Sequence, residues 1–197
     1  MKENIILIGG GGHCSACIDV LEQEGRFTIA GIVDRPEKKQ HNVLKYPVIG
    51  SDKDLKELVK AFPNVLITLG QIKSPTRRVE LFIDLMQMGA HFPVIQSPLA
   101  YISPYAHVAE GTIVMHHALI NAGASVGRNC IINNKALIEH DAVIEDNCHI
   151  STGVIVNGGV KIGSGSFLGS GAVVVESASI TSGSFIKANS LYRESDE

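Results

Sequence analysis

Residues 120–162 read INAGASVGRNCIINNKALIEHDAVIEDNCHISTGVIVNGGVKI, with Ile120, Val126, Ile132, Ile138, Ile144, Ile150, Val156 and Ile162 each six residues after the last. Outward from this stretch the spacing continues unbroken, to Ile102, Val108 and Val114 on one side and to Leu168, Val174, Ile180 and Ile186 on the other. If aliphatic residues filled about a third of positions at random, such a run would arise with odds on the order of 10⁻⁷. A period of six cannot follow a 3.6-residue helical turn. It fits a β-solenoid, in which short strands form the flat faces of a prism and the recurring aliphatic residue points inward at each layer. The position four residues after each aliphatic is small or modest, as at Ala118, Ala124, Cys130, Ala136, Ala142 and Cys148. Gly, Asn and Asp between them take the corners, where positive φ is needed.

Composition agrees with thin, regular layers. The 197 residues are 45% hydrophobic but only 5% aromatic, with no Trp and 20 Gly, so the apolar material is Val, Ile, Leu and Ala. A net charge of −3, without a run of even four basic residues, excludes a protein built to neutralise a nucleic-acid backbone. The N-terminus lacks the length and cleavage pattern of a signal peptide, and no apolar stretch approaches the roughly 20 residues of a membrane span. The chain therefore reads as soluble and cytoplasmic, with no membrane partner and its four cysteines reduced.

Residues 1–96 follow a different grammar, in which short apolar runs alternate with helix-like segments. Strands are expected over 4–9, 27–33 and 64–69 and helices over 13–21, 51–61 and 74–88, giving a small parallel α/β sheet of Rossmann type. The solenoid is expected over 97–188, followed by a tail, 189–197. Gly9 to Gly12, between the first strand and first helix, make a turn that lets backbone amides and a helix N-terminus approach phosphate oxygens. The NAD fingerprint is not completed, because Cys14 or Ser15 falls where its last glycine belongs, so a nucleotide diphosphate fits better than a dinucleotide. Gly10, Gly12, His13, Asp34 and Arg35 are the candidate contacts. The plain alternative is a glycine turn serving only strand-to-helix geometry.

The order of glycine-rich α/β domain then hexapeptide solenoid resembles the bacterial nucleotide-sugar and sialic-acid acetyltransferases. The resemblance is carried by Gly9 to His13, Val33-Asp34-Arg35, Gly70-Gln-Ile-Lys-Ser-Pro with Arg77 or Arg78, Ser97-Pro98-x-Ala100-Tyr-Ile-Ser, and Ile138-Glu-His140-Asp141 followed by His149. It implies a left-handed parallel β-helix of eighteen-residue coils, acetyl-CoA as cosubstrate without a metal, and a homotrimer whose active site lies between subunits. The acceptor it implies is a UDP-linked 4-amino sugar, with a sialic-acid-like hydroxyl as the alternative. Gly70 joins the substrate-binding candidates on the same ground.

Acetyl transfer needs a base for the nucleophile's proton and donors for the oxygen that becomes negative. His140 suits the first task, because an imidazole titrates near working pH, and Asp141 beside it can orient the ring. The resemblance makes His140 the base, Asp141 its orienter (often Glu in relatives) and His149 a contact of the acetyl carbonyl. With eighteen residues per coil, Gly158 stands one coil above His140, leaving room beside the base, and Asn157-Gly158-Gly159 supplies backbone donors. Asn133 is a further pocket candidate. His149, half a coil on, should lie on a different face from His140, so one site can use both only between subunits. Cys130 and Cys148 stack as inward fillers; a disulfide there runs against the reducing compartment. His41, His91, His107, His116 and His117 read as surface groups, and a metal site at His13, Cys14 and Cys17 lacks a second ligand pair. A non-catalytic solenoid or nucleotide sensor is the alternative of a different class.

Overall fold

In the computed structural model, which describes residues 2–38 and 41–193, the first part of the chain is an α/β layer. Strands β1 (Glu3–Ile8), β2 (Phe27–Val33), β3 (Asn42–Val43), β4 (Tyr46–Gly50) and β5 (Asn64–Ile67) form one sheet in the order β3-β4-β2-β1-β5. The expectation of a purely parallel sheet needs correction. β1, β2, β4 and β5 are parallel, but β3 closes the edge antiparallel to β4. This short hairpin carries too few residues to show an alternating pattern in the sequence.

Three helices flank the sheet: α1 (Gly12–Glu24), α2 (Leu55–Ala61) and α3 (Thr76–Gln87). The segment expected as one helix over 51–61 begins instead as a 3₁₀ turn, Asp52–Asp54, under a capping box in which the Asp54 carboxylate accepts the Ser51 N–H. α1 buries Cys14, Cys17, Ile18 and Leu21, the i, i+3, i+4, i+7 stripe of a one-sided helix. It ends on Gly25, at φ 73, whose N–H returns to the Leu21 carbonyl. α3 buries Arg78, Leu81, Phe82 and Leu85 on the same spacing, so a guanidinium occupies the first place of an apolar stripe.

From β6 (Ile95–Gln96) to β22 (Leu191–Tyr192) the chain makes two-residue strands every six residues, stacked as three parallel sheets. Register partners are eighteen apart, as in Leu119 with Leu137 and Ile131 with His149. One turn of the solenoid is therefore three hexads. The second residue of each strand points inward, and Val114 through Ile180 form one continuous core with Ala118, Ala124, Cys130, Ala136, Ala142 and Cys148. Cys130 and Cys148 are both free thiols in it. The corners take positive φ at every sixth residue from Gly111 to Asn189, including the bulkier His117, Lys135 and Ser177 besides the Gly, Asn and Asp expected.

The first residue of each strand points outward, and here the three faces differ. One face carries Ile95, Ile113, Ile131, His149, Phe167 and Phe185. Its N-terminal half is covered by α1, with Ile95, Ile113 and Ile131 packed in one cluster with Cys14, Cys17, Ile18 and Leu21. The second face shows Tyr101, Leu119, Leu137, Ile155, Val173 and Leu191, an unbroken apolar column. The third shows His107, Ser125, Val143, Lys161 and Ser179 and is mostly polar. No described helix is long and apolar enough to cross a membrane. Of the expected tail, Asn189 to Arg193 is described and includes β22; residues 194–197 lie outside the described residues.

Candidate active site

The covered face and the α/β sheet meet in a seam of buried polar groups. Arg78, 2% exposed, donates from Nη1 to the Ile67 and Leu69 carbonyls and from Nη2 to the carbonyl and Oδ1 of Asn129. Asn129 in turn donates to Asn147 Oδ1, one coil further on. Burial lowers the Arg78 guanidinium from 12.5 to about 10, which leaves it a cation at neutral pH. A buried cation of this kind is tolerable only because carbonyl dipoles surround it.

Next to this strap, Gln71 spans two coils, its Nε2 donating to the Asn147 carbonyl at 3.0 Å and toward that of Gly165 at 3.4 Å. Its own carbonyl lies 2.6 Å from His149 Nδ1. His149 is buried, with its ring edge-on to Phe167 and its Nε2 3.2 Å from Asn133 Nδ2. Desolvation, together with the nearby Arg78 charge, lowers its pKa to about 4 although the Gln71 carbonyl works the other way. His13 stands across the seam with its ring centroid 6.4 Å from that of His149. Desolvation first, then the charges of Arg78 and His149, bring it to about 3. Two neutral imidazoles, one from each half of the chain, therefore lie side by side in the seam.

The glycine turn is only partly free for a ligand. The Gly10 N–H is taken by Asp34 Oδ2 at 3.1 Å, and a Cβ on Gly10 would sit 2.7 Å from that oxygen. Gly10 thus fixes Asp34. A Cβ on Gly11 or Gly12 would meet nothing within 4 Å, so the open approach to the helix N-terminus lies there. Burial would raise the Asp34 carboxyl, but the Arg35 N–H, the Lys38 ammonium and the Gly10 N–H hold it below its usual value. Asp34 and Arg35 line a cavity of about 200 Å³ with Gly9, Asp52, Leu69 and Arg77. Of the Arg77 and Arg78 pair, Arg77 is the exposed member, bonded to Asp52, and Arg78 is the structural strap. Gly70 passes His13, its Cβ position 3.7 Å from that of the histidine.

His140 lies elsewhere, on the corner between the apolar and polar faces, exposed, with Nδ1 2.9 Å from Asp141 Oδ2. Asp141 adopts the left-handed corner conformation at φ 57, which turns its carboxylate back along the ring of its neighbour. That hydrogen bond chiefly raises the His140 pKa above 6.5. The Nδ1 proton goes to the carboxylate and Nε2 is left as the basic nitrogen. Gly158 is indeed one coil above, but the space left by its missing side chain is filled by the imidazole itself. A Cβ there would lie 2.6 Å from His140 Nε2. In the run 157–159, the Asn157 N–H goes to Val174 and the Gly159 N–H to His140, whereas the Gly158 N–H has no partner among the described residues. No group of three or more potential metal ligands occurs among the described residues. Cys14 and Cys17 are buried in the helix–solenoid interface, Cys17 Sγ lying 3.4 Å from His13 Nε2.

Sequence reading missed three features. His116, expected at the surface, instead bridges Ser97 Oγ (2.6 Å) and Asp19 Oδ2 (2.8 Å) and so ties α1 to the solenoid. Gln71 and Arg78 carry the seam; Arg78's place in an amphipathic stripe was a signal available in the sequence. The outward column was equally available, one residue before each inward aliphatic.

The stacked solenoid with an Asp-oriented histidine on its corner defines a hexapeptide-repeat transferase. The bacterial transferase hexapeptide model matches residues 141–176, and the PglD N-terminal domain model matches residues 4–81. Perosamine N-acetyltransferase from Caulobacter crescentus, solved with CoA and GDP-perosamine, superposes with a TM-score of 0.88 at 29% identity, over 98% of this chain and 90% of that one. The acetyltransferase domain of PglB from Neisseria gonorrhoeae gives 0.90 at 25%, over 98% and 92%, and its complex with acetyl coenzyme A gives 0.86 at 26%, over 96% and 90%. No curated protein sequence matches. The chain is similar to the nucleotide-sugar acetyltransferases over nearly its whole length, and its C-terminal part is the left-handed β-helix of that fold class.

Proposed function

We propose that the protein transfers acetyl from acetyl-CoA to the amine of a nucleotide-linked 4-amino-4,6-dideoxy sugar. The observation that carries this is the pair of half-sites: a glycine turn left open at Gly11 and Gly12, and a base at His140 oriented by Asp141. The likeness to an enzyme seen with CoA and GDP-perosamine supports it. It favours N-acetylation over the O-acetylation of a sialic-acid-like hydroxyl.

In this reading His140 Nε2 takes a proton from the amine as nitrogen attacks the acetyl carbon. Asp141 steadies the imidazolium, the C–S bond breaks, and the proton returns to the leaving sulfur. The unspent Gly158 N–H is the candidate donor for the oxygen that turns negative. Residues 1–96 hold the nucleotide, through Gly12, His13, Asp34, Arg35 and Gly70, and residues 97–188 hold acetyl-CoA near His149, Asn133 and Gly158.

The proposal includes a cytoplasmic homotrimer. Tyr101 and Leu191 are 55% and 53% exposed at the two ends of the apolar column. A second copy laid on that face would cover it and bring a neighbour to the His140 corner. The test is free-thiol release from acetyl-CoA with UDP- and GDP-linked 4-amino sugars and with a sialic acid as separate acceptors, run beside sedimentation analysis. Turnover with an amino-sugar nucleotide on a trimer is expected; turnover with sialic acid alone, or none with any acceptor, overturns it.

A further inference from the structure

The ring of His149 is held in a way that decides what it can offer. A carbonyl oxygen only accepts, so the 2.6 Å contact to Gln71 places a hydrogen on Nδ1. The ring is buried and neutral at working pH, and a neutral imidazole carries one N–H. Nε2 is then a bare lone pair, and its partner is the Asn133 amide nitrogen at 3.2 Å, which must be the donor. His149 has no N–H left for a ligand.

Asn133 does. Its Oδ1 accepts the Asn134 N–H at 2.7 Å, and of its two amide hydrogens only the one on His149 is spent among the described residues. The relay thus runs from the Gln71 carbonyl through His149 to one unspent N–H on the corner beside the apolar face. Its far end is anchored by the Gln71 side chain, 2% exposed, on the Asn147 and Gly165 carbonyls.

We propose that Gln71 is a positioning residue for the transfer: it fixes His149 as the Nδ1–H tautomer, and His149 in turn aims the Asn133 amide N–H at the acetyl group. Within this pair Asn133 is the donor and His149 the ordering group, and the Asn133 amide is a donor to the acetyl group in addition to the Gly158 N–H. Because Gln71 lies in the loop that follows β5, the same residue links the sheet that receives the nucleotide to a group that meets the acetyl. This rests on the acetyl-transfer reading of the protein, but its first test does not use activity.

In the full-length protein labelled with ¹⁵N-histidine, long-range ¹H–¹⁵N correlation spectra are expected to show His149 protonated on Nδ1 and still neutral at pH 5.5. An Nε2–H ring, or a charged one, overturns the proposal whether or not the enzyme turns over. Gln71→Ala keeps the carbonyl but removes its anchor. It is expected to bring up the Nε2–H tautomer and to lower kcat roughly tenfold to hundredfold with KM for acetyl-CoA moved less than threefold. A Gln71→Ala protein with the native tautomer and native kcat overturns it. Should that variant not fold, the wild-type tautomer and Asn133→Asp decide. The carboxylate has no N–H to give and should lose kcat by a similar factor; full activity there overturns the assignment of the donor.

Discussion

The two histidines show how differently one fold can prepare the same side chain. His140 is on an open corner, its ring hydrogen-bonded among the described residues only to the residue next to it, and its carboxylate neighbour makes it more basic. His149 is in a packed seam, held by a residue 78 positions away, and burial makes it much less basic. The first arrangement prepares a group that must gain and lose a proton; the second prepares one that must not. Local sequence suffices for the first, whereas the second needs the two halves of the chain to dock.

The sharpest break of the comparison is His140→Ala. Loss of a general base is expected to reduce kcat by about 10²- to 10⁴-fold. Because the side chain is exposed, the melting temperature should stay within about 2 °C of wild type, roughly the shift for a surface change of half a kcal/mol. Near-native turnover in a thiol-release assay would remove His140 from the chemistry. Gly158→Ala comes next. Its methyl would stand 2.6 Å from Nε2, pushing the ring aside, and a displacement on the order of 1 Å is worth roughly a hundredfold in rate. A crystal structure of that variant with the ring unmoved and kcat intact would refute the contact.

Acidification probes the other histidine. His13 and His149 have folded pKa values lowered to about 3 and about 4, against 6.5 unfolded. The unfolded chain therefore binds protons first, and stability falls as pH drops from about 6.5 toward 4. At about 1.4 kcal/mol per pKa unit, each ring penalises the acid fold by at most a few kcal/mol. Melting curves between pH 7 and 4.5 should show this, and His149→Gln should flatten the slope by one proton's share; an unchanged slope would mean the ring is not buried neutral. The smallest effect is on the pH profile. The Asp141 hydrogen bond raises the His140 pKa, so kcat/KM should rise with pH through a midpoint above 6.5 and then level off. Asp141→Asn should move that midpoint down; a profile that does not move would detach the carboxylate from the base.

The solenoid and its inward core were legible residue by residue, because each hexad repeats one local environment, and its corners were legible where Gly, Asn or Asp stands but not at His117, Lys135 and Ser177. His140 with Asp141 was legible for the same reason, being adjacent in the chain. The antiparallel edge strand was not, since two residues carry no period. His116 and Gln71 were not either, because their partners, Asp19 and Ser97 for one and Asn147 and Gly165 for the other, lie on different elements. No local pattern encodes a bond across that distance.

The sequence by itself determined a solenoid of period six, a glycine turn after the first strand, and a carboxylate placed to orient one histidine. Each depends on spacing within a single element. Only the tertiary structure decided that Gly10 is spent on Asp34, that Arg78 is a buried strap, and that His13 and His149 lie in one seam as neutral rings. Those outcomes depend on which polar groups lose water together when the α/β layer docks on the solenoid, and desolvation belongs to the assembled seam rather than to any residue in it.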